Sequence, residues 1–294
     1  MDIGLFAQPP TVDKAVEHAR ATADAGFRSL WMPQIFGLDT LSALTVVGRE
    51  VPGLELGTAV VPTYPRHPAM LAAQARTVQQ AAKGNFTLGI GLSHQMVIEG
   101  MFGMSFDKPV RHLREYLEIL QPLLRGEAAD FAGETLHGHL ALDIPDSTPV
   151  PTLVAALGTQ MLNVTARMAE GTVTWMTGVS TIGEHVVPTI NAAAAEAGRP
   201  APRVVCALPV CVTDDVGAAR SAAATDFQVY GFLPSYRAML DREGVEGPAD
   251  VAIIGDAATV RAAIEGIFAA GATTFVGVPF LHREATTEVL ASLL

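Results

Sequence analysis

The chain is poor in cysteine, with two residues among 294, Cys206 and Cys211, and no Cys-X-X-Cys pair. In an extended strand this five-residue spacing separates the two side chains by roughly 16 Å, which is too far for a disulfide bond. The missing Cys-X-X-Cys pair also argues against a structural zinc site or a dithiol redox centre. Both cysteines are therefore expected to be small buried hydrophobic side chains.

Charged residues are also scarce, at 17% of the chain, and their balance is acidic, with a net charge of −11. The sequence contains no run of lysine and arginine. These features argue against nucleic acid or an anionic membrane surface as a partner. An anionic ligand would have to be held by local groups, such as the backbone N–H groups that begin a helix.

Long apolar runs are missing although 49% of the residues are hydrophobic. No uninterrupted run approaches the ~20 residues that span a bilayer. The apolar residues instead form short runs, as is typical of strands buried on both faces. The first six residues, MDIGLF, show neither a basic segment nor a cleavage site. We therefore expect no secretory signal and a cytoplasmic protein.

Strand-like runs alternate with alanine-rich helical stretches along the whole sequence. The predicted strands are Ile3–Ala7, Ser29–Met32, Leu54–Val61, Phe86–Gly91, Pro151–Ala156, Gly171–Met176, Arg203–Val212 and Thr273–Val278. Eight parallel strands close a barrel, and no Gly-X-Gly-X-X-Gly motif follows the first strand to favour an open sheet. We predict one α/β domain, residues 1–294, with a (β/α)8 TIM-barrel fold and an active site at the C-terminal ends of the strands.

Helices are predicted between the strands, among them Val12–Ala25, Pro68–Ala82 and Arg111–Leu124. Two segments exceed the simple repeat. Residues 126–150, after strand four, are expected to form a hairpin, and residues 227–250, after strand seven, a long insertion that contacts ligand. Asp256 is a candidate helix N-cap, and Thr181 with Glu184 a candidate capping box.

Small residues and a few polar groups follow strands three, four and five, in the segments LGTAVVPTYPRHP, LGIGLSH and LVAALGT. Small side chains permit close approach of a ligand to the backbone. The turn 155–159 leads directly into a helix, so its N–H groups could hold a phosphate.

Together these segments resemble the bacterial luciferase-like family of flavin and deazaflavin oxidoreductases, whose members are (β/α)8 barrels. HLREYLEILQPLLRGE, AEGTVTWMTG and AGATTF extend the resemblance over nearly the whole chain. The RHP and GIGLSH forms look most like the branch that uses coenzyme F420, an 8-hydroxy-5-deazaflavin. Asn85 and Glu170 depart from the arginine and aspartate usual in the family.

The resemblance implies a non-proline cis peptide at the third strand, at Ala59–Val60, backing the central ring of the cofactor. It implies cofactor-binding roles for Ala59, Val60, Gly91, Ser93, His94, Ala156, Leu157, Gly158 and Thr159. The catalytic candidates are His94, Gln34 and Tyr64. His94 is either a proton donor or a cofactor contact, Gln34 a hydrogen-bond partner of the ring or a solvated rim residue, and Tyr64 a rim hydroxyl or a packing residue.

Two tryptophans, Trp31 and Trp175, lie near the ends of predicted strands, where they either shape the pocket or pack in the core. Tyr236, in the insertion at 227–250, is a candidate to close over a substrate. His137 and His139 form an HXH pair, but a metal site needs a third ligand, so no metal is expected.

The resemblance implies hydride transfer between C5 of F420 and a small organic substrate. One alternative is an FMN-dependent monooxygenase of the same fold. Two others belong to different classes: a metal-assisted barrel hydrolase using the HXH pair, and a barrel without cofactor that serves as a binding partner. The apolar surplus of the chain favours a homodimer.

Overall fold

Eight parallel strands close into a barrel in the computed structural model, which describes residues 1–294. The strands in chain order are β1 (Ile3–Phe6), β2 (Ser29–Met32), β3 (Glu55–Thr58), β4 (Val61–Pro62), β5 (Phe86–Gly91), β6 (Ala129–Ala132), β7 (His137–Leu140), β8 (Thr152–Val154), β9 (Gly171–Trp175), β10 (Arg203–Val212), β11 (Ile253–Gly255) and β12 (Thr274–Pro279). The barrel runs β1-β2-β3-β5-β8-β9-β10-β12, and β12 pairs with β1 to close it. The predicted (β/α)8 barrel is confirmed.

Helices surround the barrel and return the chain from each strand to the next. The α-helices are α1 (Val12–Asp24), α2 (Thr40–Glu50), α3 (Pro68–Ala81), α4 (Gln95–Gly100), α5 (Pro109–Leu124), α6 (Thr159–Met168), α7 (Val179–Thr181), α8 (Val187–Glu196), α9 (Val216–Asp226), α10 (Pro234–Glu243), α11 (Ala257–Ala269) and α12 (Arg283–Ala291). A π-helical segment, Ile182–Val186, joins α7 to α8. None of these helices combines the length and apolarity that a membrane crossing requires.

Both predicted insertions are present. Strands β6 and β7 form an antiparallel hairpin between α5 and β8. The Glu115 carboxylate on α5 fixes this hairpin by accepting hydrogen bonds from the backbone N–H groups of Glu134, Thr135 and Leu136, at 2.9–3.1 Å. The insertion after β10 holds α10 between two short 3-10 helices, Gln228–Gly231 and Pro248–Val251.

Two predicted helix caps have different outcomes. Asp256 caps α11 as expected, since its Oδ1 accepts a hydrogen bond from the Thr259 N–H at 2.8 Å. The capping box of Thr181 and Glu184 is wrong, because helix α7 begins after Gly178 and Thr181 lies inside it. The first-turn N–H groups are instead bonded by the carboxylate of Glu243, which a local pattern cannot reveal.

The interior of the barrel contains a polar layer at its N-terminal end, and Trp31 forms the next layer. Arg203 on β10 reaches across to Glu55 on β3, with 2.6 Å between Nη1 and Oε1. Trp31 lies fully buried above this pair, with the Arg203 guanidinium carbon 5.5 Å from its ring centroid. A Cβ atom on Gly57 would lie 2.2 Å from the indole, so only glycine leaves room for it. Trp31 is therefore a core residue.

Candidate active site

The C-terminal end of the barrel presents an apolar floor that is only partly covered. Phe6, Ala59, Val60 and Trp175 pack on the inner barrel cluster yet remain partly exposed. Ala155, at the end of β8, is exposed although the strand before it is fully buried. An open apolar surface surrounded by parallel strand ends is where barrel enzymes bind their ligands.

The third strand is interrupted by a bulge that contributes to this floor. The peptide bond between Ala59 and Val60 is cis, as the resemblance implied. The bulge is fixed to the neighbouring strand on one side, because the Ala59 N–H donates to the Met32 carbonyl at 2.9 Å. The Val60 carbonyl accepts a hydrogen bond from the Gln34 N–H at 3.2 Å. Beyond the bulge, β4 resumes pairing with β5.

Two glycines of β5 make room for the bulge. A Cβ atom on Gly89 would lie 1.9 Å from the Thr58 carbonyl oxygen. One on Gly91 would lie 2.7 Å from Cγ2 of Val60 and 3.3 Å from Cβ of Ala155. The ends of β3, β5 and β8 therefore meet at Gly91, which brings together three of the predicted junctions.

The junction after β5 turns sharply at Ser93, which has a φ of 61°. His94 follows, half-buried, with its ring centroid 5.7 Å from that of Tyr236 on α10. Burial lowers the pKa of His94 below its ordinary value. Burial thus favours the uncharged form of the ring, in which one nitrogen accepts a hydrogen bond and the other donates one.

The junction after β8 ends in an uncapped helix. Gly158 begins the ten-residue helix α6 without any side-chain cap, and no atom lies within 4 Å of a Cβ placed on it. The exposed start of α6 therefore offers free N–H groups to an anion. Two side chains contact the backbone of this junction. Thr172 Oγ1 lies 3.4 Å from the Ala156 nitrogen, and His185 Nε2 lies 2.8 Å from the Leu157 carbonyl oxygen.

Two of the predicted catalytic residues, Gln34 and Tyr64, have side chains that contact other parts of the protein. The Oε1 atom of Gln34 accepts a hydrogen bond from the Thr40 N–H at 2.7 Å, so its side chain anchors the start of α2. Tyr64 stacks on His112 of α5, with 3.9 Å between ring centroids, and packs outside the barrel floor. Its buried hydroxyl has no hydrogen-bond partner, and burial, with the charges of Asp107 and Glu99, raises its pKa to about 12.

An aromatic wall, which the sequence reasoning largely missed, stands over one side of the floor. Trp175 meets Phe227 and Tyr230 edge-on at 5.9 and 5.8 Å between centroids, and Tyr230 meets Tyr236 at 5.0 Å. The Trp175 indole Nε1 is buried without a hydrogen-bond partner. The density of aromatic residues in FQVYGFLPSY is the signal that could have indicated this wall.

The two histidines of the HXH pair, His137 and His139, are exposed on strand β7 of the hairpin. His139 Nδ1 bonds to Asp130 at 2.6 Å, and the His137 carbonyl oxygen lies 3.0 Å from His67 Nε2. No group of three or more histidine, cysteine or acidic side chains is close enough to bind a metal ion. The geometry gives no support to a metal-assisted hydrolase.

Among curated proteins, the chain is similar to the 5,10-methylenetetrahydromethanopterin reductase of Methanolobus tindarius. The two are 27% identical over 260 residues, which cover 87% of this chain and 79% of the relative.

Solved structures share the fold. The coenzyme F420-dependent tetrahydromethanopterin reductase of Methanopyrus kandleri superposes with a TM-score of 0.85 at 20% identity, over 100% of this chain and 98% of that one. An F420-dependent secondary alcohol dehydrogenase, in complex with an F420-acetone adduct, has a TM-score of 0.83 at 18% identity over 100% and 98%. A Type II Baeyer-Villiger monooxygenase from Pseudomonas putida, in complex with FMN, has a TM-score of 0.75 at 16% identity over 99% and 97%.

The sequence model described as luciferase-like monooxygenase matches residues 2–274. This match includes every strand of the barrel except β12, of which it reaches only the first residue, Thr274. The chain belongs to the luciferase-like monooxygenase family.

Proposed function

We propose that this protein is a coenzyme F420-dependent oxidoreductase that transfers a hydride between the deazaflavin and a small organic substrate. The observation that carries the proposal is the convergence of Val60, Gly91 and Ala155 into one open apolar floor beside the uncapped start of α6. Support also comes from the similar proteins, since two of the structures that share the fold are named as F420-dependent enzymes.

The floor fits a planar aromatic ring. Ala59, Val60 and Phe6 present apolar surface of the kind that a tricyclic ring covers, and Gly91 lets the ring approach the backbone. The indole N–H of Trp175, buried without a partner, is available to an acceptor on a ligand.

The tail of the cofactor carries phosphate, and the junctions after β5 and β8 fit it. The free N–H groups at Gly158 and Thr159 and the helix dipole of α6 favour an anion where the net charge of the whole chain does not. Ser93 and His94 line the approach from β5, and His185 fixes the turn by its contact with the Leu157 carbonyl.

When bound, the deazaflavin supplies a ring carbon that gives or takes a hydride. The chain's own part is to orient the two reactants, exclude water and move one proton. A ligand that lies on the apolar floor beside the aromatic wall displaces water from the surface it covers. His94, whose uncharged form burial favours, is the group we assign to take up the proton when the substrate is oxidised and to return it when the substrate is reduced.

An FMN-dependent monooxygenase is the second candidate. It is favoured by the shared fold of the FMN-bound Baeyer-Villiger monooxygenase. The same floor and helix start suit both rings, so geometry alone does not separate the two cofactors.

The test is a pair of titrations of the purified protein, one with F420 and one with FMN, followed by absorbance and fluorescence. We expect micromolar or tighter binding of F420 and at least tenfold weaker binding of FMN. Tight FMN binding without F420 binding, together with oxygen consumption when reduced FMN is supplied, would establish the monooxygenase instead.

A further inference from the structure

Exposed apolar side chains are concentrated on two neighbouring loops at the mouth of the barrel. They are Ile35, Phe36, Met101, Phe102 and Met104, and we call them the rim patch; each is between 41% and 65% exposed. The two loops touch through Phe36 and Phe102, whose ring centroids lie 6.4 Å apart at an angle of 62°. The rim patch is therefore one continuous surface, although its members come from the segments after β2 and after α4.

We propose that the rim patch binds the body of a neutral, predominantly apolar substrate whose reacting end reaches the floor. This inference rests on the proposed function, and it names the class of substrate. Large apolar side chains in water are unfavourable unless something covers them, and patches of this kind commonly mark ligand sites.

The rim patch begins beside the floor. Gln34, which precedes Ile35, donates its backbone N–H to the carbonyl of Val60 in the bulge. Ile35 also lines a depression of about 230 Å³ between the loops after β1 and β2, with Pro9, Pro33 and Leu38 among the lining residues. Small-molecule sites usually measure about 300–1,000 Å³, so a ligand in this depression would extend over the rim.

The charges around the rim patch exclude an anion. Neither loop, residues 33–39 or 95–107, contains lysine or arginine, and the second carries Glu99 and Asp107. The next residue, Lys108, is a cation already paired with Glu134. Arg66, which is bonded to Asp39 of the first loop, is likewise paired. A carboxylate or phosphate on the substrate body would therefore find no unpaired positive charge there.

The rim patch is small for a contact between two copies of the chain. Large side chains bury roughly 200 Å² each, so five of them about half exposed offer roughly 500 Å². A stable interface buries about 800 Å² on each partner. A homodimer would need a different or larger face, whereas a small ligand would fit this one.

The test uses two fluorescent probes that differ by one sulfonate: neutral N-phenyl-1-naphthylamine and anionic 8-anilino-1-naphthalenesulfonate. We expect the full-length protein to bind the neutral probe at least tenfold more tightly. Neutral 2-ketones, from 2-butanone to 2-nonanone, should displace it with about a threefold gain in affinity per added methylene group.

The variants Phe36→Ser and Met101→Ser should each weaken binding of the neutral probe and of 2-nonanone at least fivefold. Met70→Ser, which changes an equally exposed methionine on α3, is the matched control and should bind as the parent does. Equal binding by the rim variants and the parent would overturn the proposal. It would also be overturned if the rim variants converted a dimer into a monomer in sedimentation, because a second copy would then cover the rim patch.

Both probes are measured with and without F420, and F420 affinity is measured separately. If the parent protein does not bind F420 but binds the neutral probe at the rim patch, the proposed function is contradicted and this inference is not. If the parent binds F420 normally and the rim variants bind the probe as tightly as the parent, only this inference is contradicted.

Discussion

Gly91 is the residue at which the three strand ends of the floor meet. Replacement by alanine places a methyl group 2.7 Å from Cγ2 of Val60, so Val60 has to move toward the mouth. We expect Gly91→Ala to lower the free energy of unfolding by about 1–3 kcal/mol and to weaken F420 binding about tenfold or more. Denaturant unfolding and a fluorescence titration measure the two effects.

The control for this variant is Gly217→Ala on α9. The atom nearest to a Cβ on Gly217 is Asp215 Oδ1, at 3.8 Å, so the methyl group fits. We expect unchanged F420 affinity and equal or slightly higher stability. If folded Gly91→Ala bound F420 like the parent, the cofactor ring would not lie on this floor.

His112 is a buried histidine that gives stability a pH dependence. Burial lowers its pKa to about 4, against the opposing charge of Glu115. At pH values between about 6.5 and about 4, His112 is protonated in the unfolded chain but uncharged in the folded chain. Stability from His112 is thus present above about pH 6.5 and lost as pH falls toward 4.

We expect His112→Gln to be less stable than the parent at pH 8, because its contacts with Tyr64 and Thr63 are weakened. The difference in the free energy of unfolding between the parent and His112→Gln should decrease by about 1–2 kcal/mol between pH 8 and pH 4.5, since only the parent carries the titrating group. Urea unfolding at several pH values measures this. Parallel curves for the two proteins would mean that His112 is protonated equally in both states.

At the residue scale the sequence could indicate where a junction lies, but not where its side chains point. The small residues around Gly91 marked the floor correctly, because close approach is a local requirement. The side-chain Oε1 of Gln34 accepts a hydrogen bond from the Thr40 N–H, a contact that the sequence around Gln34 does not indicate. His185, from the π-helical segment, contacts the junction at Leu157 across 28 residues of sequence, and no local pattern predicts that.

The carboxylate of Glu243 is one of the groups that attach helix α10 to the barrel, beside the buried side chains of Met239 and Leu240. Glu243 accepts hydrogen bonds from the backbone N–H groups of Thr181 at 2.7 Å and Ser180 at 3.1 Å, which begin α7. Gly178 permits this approach, since a Cβ there would lie 2.3 Å from Cδ of Glu243. The aromatic wall, which includes Tyr236 of α10, depends on this attachment for its position.

We expect Glu243→Ala to lower the free energy of unfolding by about 1–2 kcal/mol, as the loss of a helix N-cap does. The variant should also make residues 227–250 more susceptible to limited proteolysis. Glu246→Ala, in the same segment, is the control, because the Glu246 side chain accepts none of the hydrogen bonds that hold α7. Equal digestion rates for the two variants would show that α10 is held by its packing alone.

At the element scale, strands and long helices were predictable because their signals repeat along the chain. The predicted and observed bounds of the strand at Ser29–Met32 coincide, and β5 and β10 agree equally well. The third strand differs, because the bulge divides the predicted Leu54–Val61 into β3 and β4. The apolar pattern continues through a bulge, so it does not reveal one.

For the whole molecule, closure of the barrel was predictable from the count of eight strands, but the contact that spans it was not. Arg203 and Glu55 are 148 residues apart, and each alone is an ordinary charged residue at the start of a strand. Their pairing exists only once β3 and β10 face each other. Tertiary geometry of this kind has no counterpart in the local pattern.

The Arg203–Glu55 pair joins distant parts of the barrel at its N-terminal end. Glu55 also accepts a hydrogen bond from Thr87 Oγ1 at 2.9 Å, and Arg203 Nε donates to Thr274 Oγ1 at 3.2 Å. The pair thereby connects strands β3, β5, β10 and β12. Both side chains are about one quarter exposed, so water screens their attraction only in part.

We expect Glu55→Gln to lower the free energy of unfolding by about 2 kcal/mol, because the largely buried Arg203 charge loses its shorter ion pair and keeps only Asp2, whose Oδ2 lies 3.6 Å away. Arg203→Met is measured alone and combined with Glu55→Gln; the combination should recover part of the loss, which gives a coupling energy of about 1–2 kcal/mol in a double-mutant cycle. Glu50→Gln, which breaks the exposed pair with Arg20, should change stability by less than about 0.5 kcal/mol. Urea unfolding followed by tryptophan fluorescence, to which Trp31 beside Arg203 and Trp175 contribute, measures all five proteins. Additive losses in the cycle would mean that the barrel is closed by its strand pairing and apolar core, with the ion pair contributing nothing of its own.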